Sequence, residues 1–144
     1  GGYEWRRRDG AQDTSAPYAE FSLKYDYAEK SYLTAGYVYT FEEATDVATY
    51  TDTKVNRFFV NVQHAVTALI VASGSIDYEP SQLQGRRGIS DANETTTRLG
   101  AALSYLAGKN WTLAATFDYD HVDSDVPSRA MVRNRCGLNA AFEF

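Results

Sequence analysis

The segment Arg133-Asn134-Arg135-Cys136-Gly137-Leu138-Asn139-Ala140-Ala141-Phe142-Glu143-Phe144 alternates between two kinds of side chain. Read with period two, Asn134, Cys136, Leu138, Ala140, Phe142 and Phe144 fall on one side, and Arg133, Arg135, Gly137, Asn139, Ala141 and Glu143 on the other. The pattern is that of a β-strand with one largely apolar face. It runs to Phe144 with no turn, cap or polar tail, whereas the terminus of a soluble domain usually frays into polar residues. A closed barrel tolerates such an ending because its last strand is held by its first. The fold therefore turns on whether the preceding residues supply partner strands of the same kind.

Composition narrows the classes. The 144 residues suit one domain. A net charge of −5 leaves no broad basic surface to displace counterions, which argues against a nucleic-acid partner. Eleven Tyr against one Met and three Pro favour strands over helices. Cys136 is the single cysteine, so no internal disulfide forms, and no C-x-x-C or C-x-x-H spacing suggests a metal. No apolar run reaches the roughly 18 residues of a transmembrane helix. Barrel strands escape that test, because they need only about 9 to 11 residues with alternate positions apolar.

The chain then supplies strand after strand. Gly2 to Arg8 alternates weakly, and residues 9–17 have loop composition. Tyr18 to Tyr27 sets Ala19, Phe21, Leu23, Tyr25 and Tyr27 against Glu20, Ser22, Lys24 and Asp26. After a short turn, Leu33, Ala35, Tyr37, Tyr39 and Phe41 oppose Thr34, Gly36, Val38, Thr40 and Glu42, making a hairpin. A polar connection from about Glu43 to Lys54 precedes a third clear run. There Phe58, Val60, Val62 and His64 alternate with Arg57, Phe59, Asn61 and Gln63, with Phe59 breaking the pattern. Past Val66-Thr67 comes Leu69 to Glu79, then the longest expected loop, Pro80 to about Thr95. Arg98 to Tyr105 and Trp111 to Asp120 are regular, and a loop of His121 to Val132 leads to the terminal strand. Seven convincing strands and a doubtful first one emerge, with no helical periodicity.

Two regularities point to an antiparallel up-and-down transmembrane β-barrel as a single domain over residues 1–144. Connections alternate short and long, as in membrane barrels with tight turns on one side and long loops on the other. Aromatic residues also gather at strand ends on the apolar face. Tyr25, Tyr27, Tyr105, Trp111, Phe142 and Phe144 lie toward the short turns, while Tyr37, Tyr39, Phe41, Phe58, Tyr78 and Tyr119 lie toward the loops. That is the two-girdle distribution of rings at headgroup level with aliphatic residues between.

With Phe142 and Phe144 closing a strand of alternating small and apolar residues, the C-terminus resembles the assembly signal of Gram-negative outer-membrane proteins. Asn110-Trp111-Thr112-Leu113, the loop Asp120-His121-Val122-Asp123-Ser124-Asp125 and Arg133-Asn134-Arg135 resemble the C-terminal part of the OmpL-like, porin 2 family of beta-barrel porins. The resemblance covers about residues 50 to 144. It implies an outer-membrane location, recognition of the terminal Phe residues by the barrel-assembly machinery, and a non-enzymatic, porin-like role. Members are usually longer, so the sequence fits either a compact eight-strand barrel or the C-terminal portion of a larger one.

The polar face carries Glu20, Lys24, Asp26, Glu42, Arg57, Asp77, Glu79, Arg98, Asp118, Asp120, Arg135 and Glu143. In a water-filled barrel these residues set ion preference; in an eight-strand barrel they fill the interior as paired charges. The first case gives passive passage of small polar solutes or ions. The second gives a structural or adhesive protein acting through its loops. Asp118, Asp120, Asp123 and Asp125 lack the Gly and closing Glu of an EF-hand loop, so no metal is assigned. His64 and His121 fall on the apolar face with no nucleophile placed beside them, and no catalytic residue or cofactor is expected. Membrane lipid is the expected partner. Arg6, Arg7, Arg8, Arg86 and Arg87 border the presumed outer loops, where lipopolysaccharide phosphates would lie, although solvated loops explain them as well.

Overall fold

The computed structural model describes residues 1–144 apart from 7–13, 45–48, 86–87, 109, 127 and 143–144. Eight strands form one sheet in chain order: β1 (Gly2–Arg6), β2 (Thr14–Ala28), β3 (Ser31–Glu43), β4 (Tyr50–Ala65), β5 (Ile70–Gly85), β6 (Ala92–Leu106), β7 (Trp111–Ser124) and β8 (Met131–Phe142). Every neighbouring pair is antiparallel, so the sheet is a pure up-and-down meander. Among the described residues β1 meets only β2 and β8 only β7, so the two edges do not close on each other. The pairing of first and last strands, which a compact closed barrel needs and a portion of a larger one does not, is therefore not present among the described residues.

The strands are longer than periodicity suggested. The expected loop from Glu43 to Lys54 shrinks to residues 44–49, that from Pro80 to Thr95 to 86–91, and that from His121 to Val132 to 125–130. Residues 14–17 belong to β2 rather than to a loop. In three of the four, polar residues stand on both faces near the loop end, so the backbone remains a ladder after its hydrophobic alternation has ended; in the fourth, Val122 and Met131 pair on the otherwise polar side and break the alternation. Short connections of two to four residues (29–30, 66–69 and 107–110) still alternate with longer ones of six or seven.

The short turns are locally built. Lys30 sits at φ 55° in the β2–β3 turn, a left-handed position that costs a lysine more than a glycine. Neighbouring strands hold it there. Ser31, 2 % exposed, donates its hydroxyl to the Glu29 carbonyl (3.3 Å) and accepts the Ala65 N–H (3.0 Å), while Gln63 Nε2 donates to the Lys30 carbonyl (3.0 Å). Gly108, at φ 88°, lets the β6–β7 turn reverse, closed by Ala107 N–H to the Trp111 carbonyl at 2.8 Å.

Register fixes the two faces. One continuous row crosses the sheet as Lys24, Thr34, Asn61, Ser75, Gly100, Asp118 and Arg135. The next residue on each strand gives an apolar row: Tyr25, Leu33, Val62, Gly74, Ala101, Phe117 and Cys136. Phe59, the residue that broke the alternation, lies on the polar face directly over Gly36. A Cβ at Gly36 would stand 2.4 Å from the Phe59 ring tip and 2.7 Å from the Phe21 carbonyl oxygen. The aromatic residue and the glycine are one packing unit.

The buried hydrophobic core is small and off-centre. Ala44, Tyr50, Leu83 and Ala92 form it at the loop end, with Val126 from the β7–β8 connection packed against them. The apolar rows between the strand ends are not part of it.

Candidate functional site: a polar face lined by ion pairs and a hydroxyl-rich trough

Burial is inverted relative to a soluble sheet. Phe21 is 67 % exposed, Leu103 54 % and Leu138 88 %, and Tyr25, Ile76, Tyr78, Trp111 and Leu113 are exposed with them on the same face. A face of this size left open to water would be a severe liability in a soluble protein. Its aromatic residues gather in two belts. Toward the short turns Trp111 packs on Phe142 at 5.0 Å between centroids, and Tyr27 stacks on Tyr25 and His64, its hydroxyl 3.2 Å from His64 Nδ1. Toward the loops Tyr37 packs on Phe58 at 4.8 Å, Tyr39 on Phe41, and Tyr119 on His121. All eight residues expected to form girdles, Tyr25, Tyr27, Tyr37, Tyr39, Tyr78, Tyr105, Trp111 and Tyr119, lie on the apolar side. From Trp111 to Tyr119 is nine residues, which matches the roughly 9 to 11 that cross a bilayer as a tilted strand.

Of the twelve polar-face residues, Glu143 lies outside the described residues, as does Phe144. The other eleven share one face by register. They are not uniformly arranged. On β5–β8 one row alternates in sign across four strands, from Asp77 to Arg98 to Asp120 to Arg133. Asp120 is nearly buried and accepts from Arg133 Nε (2.8 Å) and Nη2 (2.5 Å), with Arg135 Nη2 at 4.0 Å. Arg98 Nη1 lies 3.6 Å from Glu79. Such opposite-charge neighbours stabilise a ladder rung by rung. Arg133, omitted from the sequence-based set, is the strongest partner in this row. Its alternation with Arg135 on the polar side of β8 was the available signal.

On β2–β4 the charges are sparser. Lys24 Nζ lies 2.9 Å from Asp26 and 4.6 Å above the Tyr32 ring, while Glu20 and Glu42 are exposed. Arg57 Nε is buried with no hydrogen-bond partner, beside a gap in the β4–β5 ladder at Glu79 and Pro80. Pro80 has no N–H to donate, which accounts for the gap.

Below the charged row the face opens into a trough of about 490 Å³ spanning five strands, so the sheet curves around its polar side. Small residues make the room. A Cβ at Gly100 would stand 2.5 Å from Ser75 Oγ, and one at Gly137 would stand 2.7 Å from Thr116 Oγ1. At the loop end the β7–β8 connection is tied down. Arg129 grips Glu94 bidentately at 2.7 and 3.2 Å, and Asp125 accepts from the Asn93 backbone at 2.8 Å and side-chain amide at 3.1 Å.

Among the described residues no three His, Cys, Asp or Glu side chains converge on a metal position. Asp118 and Asp120 are on the polar face, while Asp125 is committed to Asn93. His121 Nδ1 is buried without a hydrogen-bond partner, and His64 is paired with Tyr27. Cys136 is exposed on the apolar face.

An antiparallel meander with an apolar, doubly belted outer face and a polar curved inner face defines a protein of the β-barrel membrane class. The chain belongs to the family described as "Putative beta-barrel porin 2", which matches it over residues 1–144. The match therefore extends past the residues 50–144 on which the sequence motifs rested. No curated protein and no solved structure matches the chain.

Proposed function

We propose that this protein is an outer-membrane porin of a Gram-negative cell, through which small polar solutes or ions pass without energy input along the polar face. The observation that carries the reading is the inversion of burial. The hydrophobic rows between the two aromatic belts face outward and the charges face the inside of the curve. Lipid chains satisfy the first, and water the second. Among the described polar-face residues, acids (Glu20, Asp26, Glu42, Asp77, Glu79, Asp118, Asp120) outnumber bases (Lys24, Arg57, Arg98, Arg133, Arg135), which favours cations in the passage. Membrane lipid, lipopolysaccharide and the barrel-assembly machinery are the partners this reading carries, with Phe142 and Phe144 as the assembly signal; no catalytic role is assigned.

Planar-bilayer recording tests it. Reconstituted protein gives discrete conductance steps with a cation preference, and folded protein runs faster than boiled protein on a gel. Absence of conductance above background from a heat-modifiable, lipid-inserted preparation refutes passage. That outcome supports the second reading, a structural or adhesive outer-membrane protein acting through its loops. The packed loop end, with Val126 in the apolar cluster and Arg129 clamped on Glu94, is the observation in favour of the second reading.

A further inference from the structure

The charged residues of the polar face are concentrated toward the loops, whereas the trough beneath them is lined by hydroxyls and amides. Thr34, Asn61, Ser73, Ser75 and Thr116 present side chains that each accept hydrogen bonds and each donate at least one. None of the five is engaged in a side-chain hydrogen bond with another described residue. Asp118 is the one charged residue of the lining, and Tyr32 is its aromatic wall. Lys24 holds that ring in place from one side at 4.6 Å.

We infer that this trough is a binding subsite for neutral polyhydroxylated solutes, that is, short saccharides. The inference rests on the porin reading and names the solute class for it. A bare ion gains little from such a wall. Charge selection belongs to the row of Asp77, Arg98, Asp120 and Arg133 above, where each charge already has an opposite neighbour. A saccharide matches the wall in three respects. Its adjacent hydroxyls donate and accept together, as Thr34, Asn61 and Ser75 do along one cross-strand row. The Asp118 carboxylate, next along that row after Gly100, accepts two hydroxyl hydrogens at once. The Tyr32 ring offers a flat apolar area to the C–H face of a pyranose. The volume, about 490 Å³, lies within the range of roughly 300 to 1,000 Å³ usual for small-molecule sites. Gly100 preserves it, because any side chain there would run into Ser75.

The test is current block and equilibrium binding with three probes: a neutral linear glucose hexasaccharide, a uronate hexasaccharide of equal length, and a polyethylene glycol of equal size. The hexasaccharide is expected to block current in the millimolar range and to bind detergent-solubilised protein. The uronate binds more weakly and the glycol not at all. Asn61→Leu weakens hexasaccharide binding about fivefold, the effect of one hydrogen bond. Tyr32→Ala weakens it by a similar factor. Conductance without preferential block by the neutral sugar overturns the saccharide site and leaves the porin reading standing. Binding in detergent without any conductance does the reverse. A uronate that binds more tightly than the neutral sugar also overturns the inference.

Discussion

An arginine walked along β6 measures what each face of the sheet touches. Ala101 lies on the outer apolar row between Gly74 and Phe117, and Ala102, next in sequence, lies on the opposite, polar face between Ser73 and Thr116. Tyr105, in the belt near the short turns, is four residues from Ala101 and eight from Thr97. At about 3.4 Å per residue and a tilt near 40°, Ala101 stands roughly 10 Å above that belt and Thr97 roughly 21 Å. In an apolar band about 25 Å tall, Ala101 is thus near the midplane and Thr97 near the opposite rim. Ala101→Arg should cost about 2 to 4 kcal/mol and Thr97→Arg about 0 to 1 kcal/mol, the depth dependence of a charge on a lipid-facing strand. Ala102→Arg, facing water, should leave stability within about 1 kcal/mol and instead reduce conductance and shift preference toward anions. Urea titration of protein folded into phosphocholine vesicles, followed by the fluorescence of Trp5 and Trp111, gives the three values. Equal costs at 101 and 102, or a cost at 97 as large as at 101, refute the assignment of this face to lipid.

Three further outcomes follow from the packing. Gly36→Ala should destabilise by about 1 to 3 kcal/mol through overpacking against Phe59 and the Phe21 carbonyl, and by less in a Phe59→Ala background. A double-mutant cycle should return a coupling of about 1 kcal/mol, and strict additivity would separate the two residues. Ser31→Ala strands the Ala65 N–H at the β2–β3 turn and should cost about 1 to 3 kcal/mol, read by the same urea titration. Arg129→Ala and Leu83→Ala both loosen the loop end. They should speed proteolytic cutting near residues 125–130 and, under the porin reading, raise conductance, while the boiled-versus-unboiled gel shift is retained.

The side of the sheet taken by each residue was legible from parity alone, because a strand places successive side chains on opposite faces and nothing else in the chain competes with that rule. The eleven described charged residues from Glu20 to Arg135 and the eight aromatic residues from Tyr25 to Tyr119 follow it. Strand ends were not legible. Tyr50–Asn56, Pro80–Gly85 and Ala92–Thr96 carry polar residues on both sides, so a paired strand and a loop look alike there, and Pro80 read as a breaker although it sits at a gap in the ladder. Phe59 looked like an error in the pattern because its explanation, Gly36, lies on another strand. The loop-end cluster was invisible for the same reason: Ala44, Tyr50, Leu83, Ala92 and Val126 come from separated segments, and each alone is an ordinary apolar residue. Whether the sheet closes on itself or forms part of a larger barrel was the alternative that sequence left open, because it depends on two edges meeting, and among the described residues β1 and β8 do not meet.

The position of that cluster follows from what surrounds each level of the sheet. On the membrane reading, the apolar rows between the belts gain by contact with lipid, and the backbone is satisfied rung by rung by its neighbours, so no internal hydrophobic core is required. Above the Tyr37, Phe58, Tyr78 and Tyr119 belt, β4, β5, β6 and β7 continue for several residues, which on the same reading have water on both sides. A ladder with water on both faces gains nothing from lipid and is only marginally stable by itself, so it needs apolar burial of its own. That is the level at which Tyr50, Leu83 and Ala92 are buried and the Arg129–Glu94 clamp forms. The same division explains why the trough lies lower. On the porin reading, the inner face within the membrane is free of any packing duty, so its small, hydroxyl-bearing residues can remain open to the passing solute.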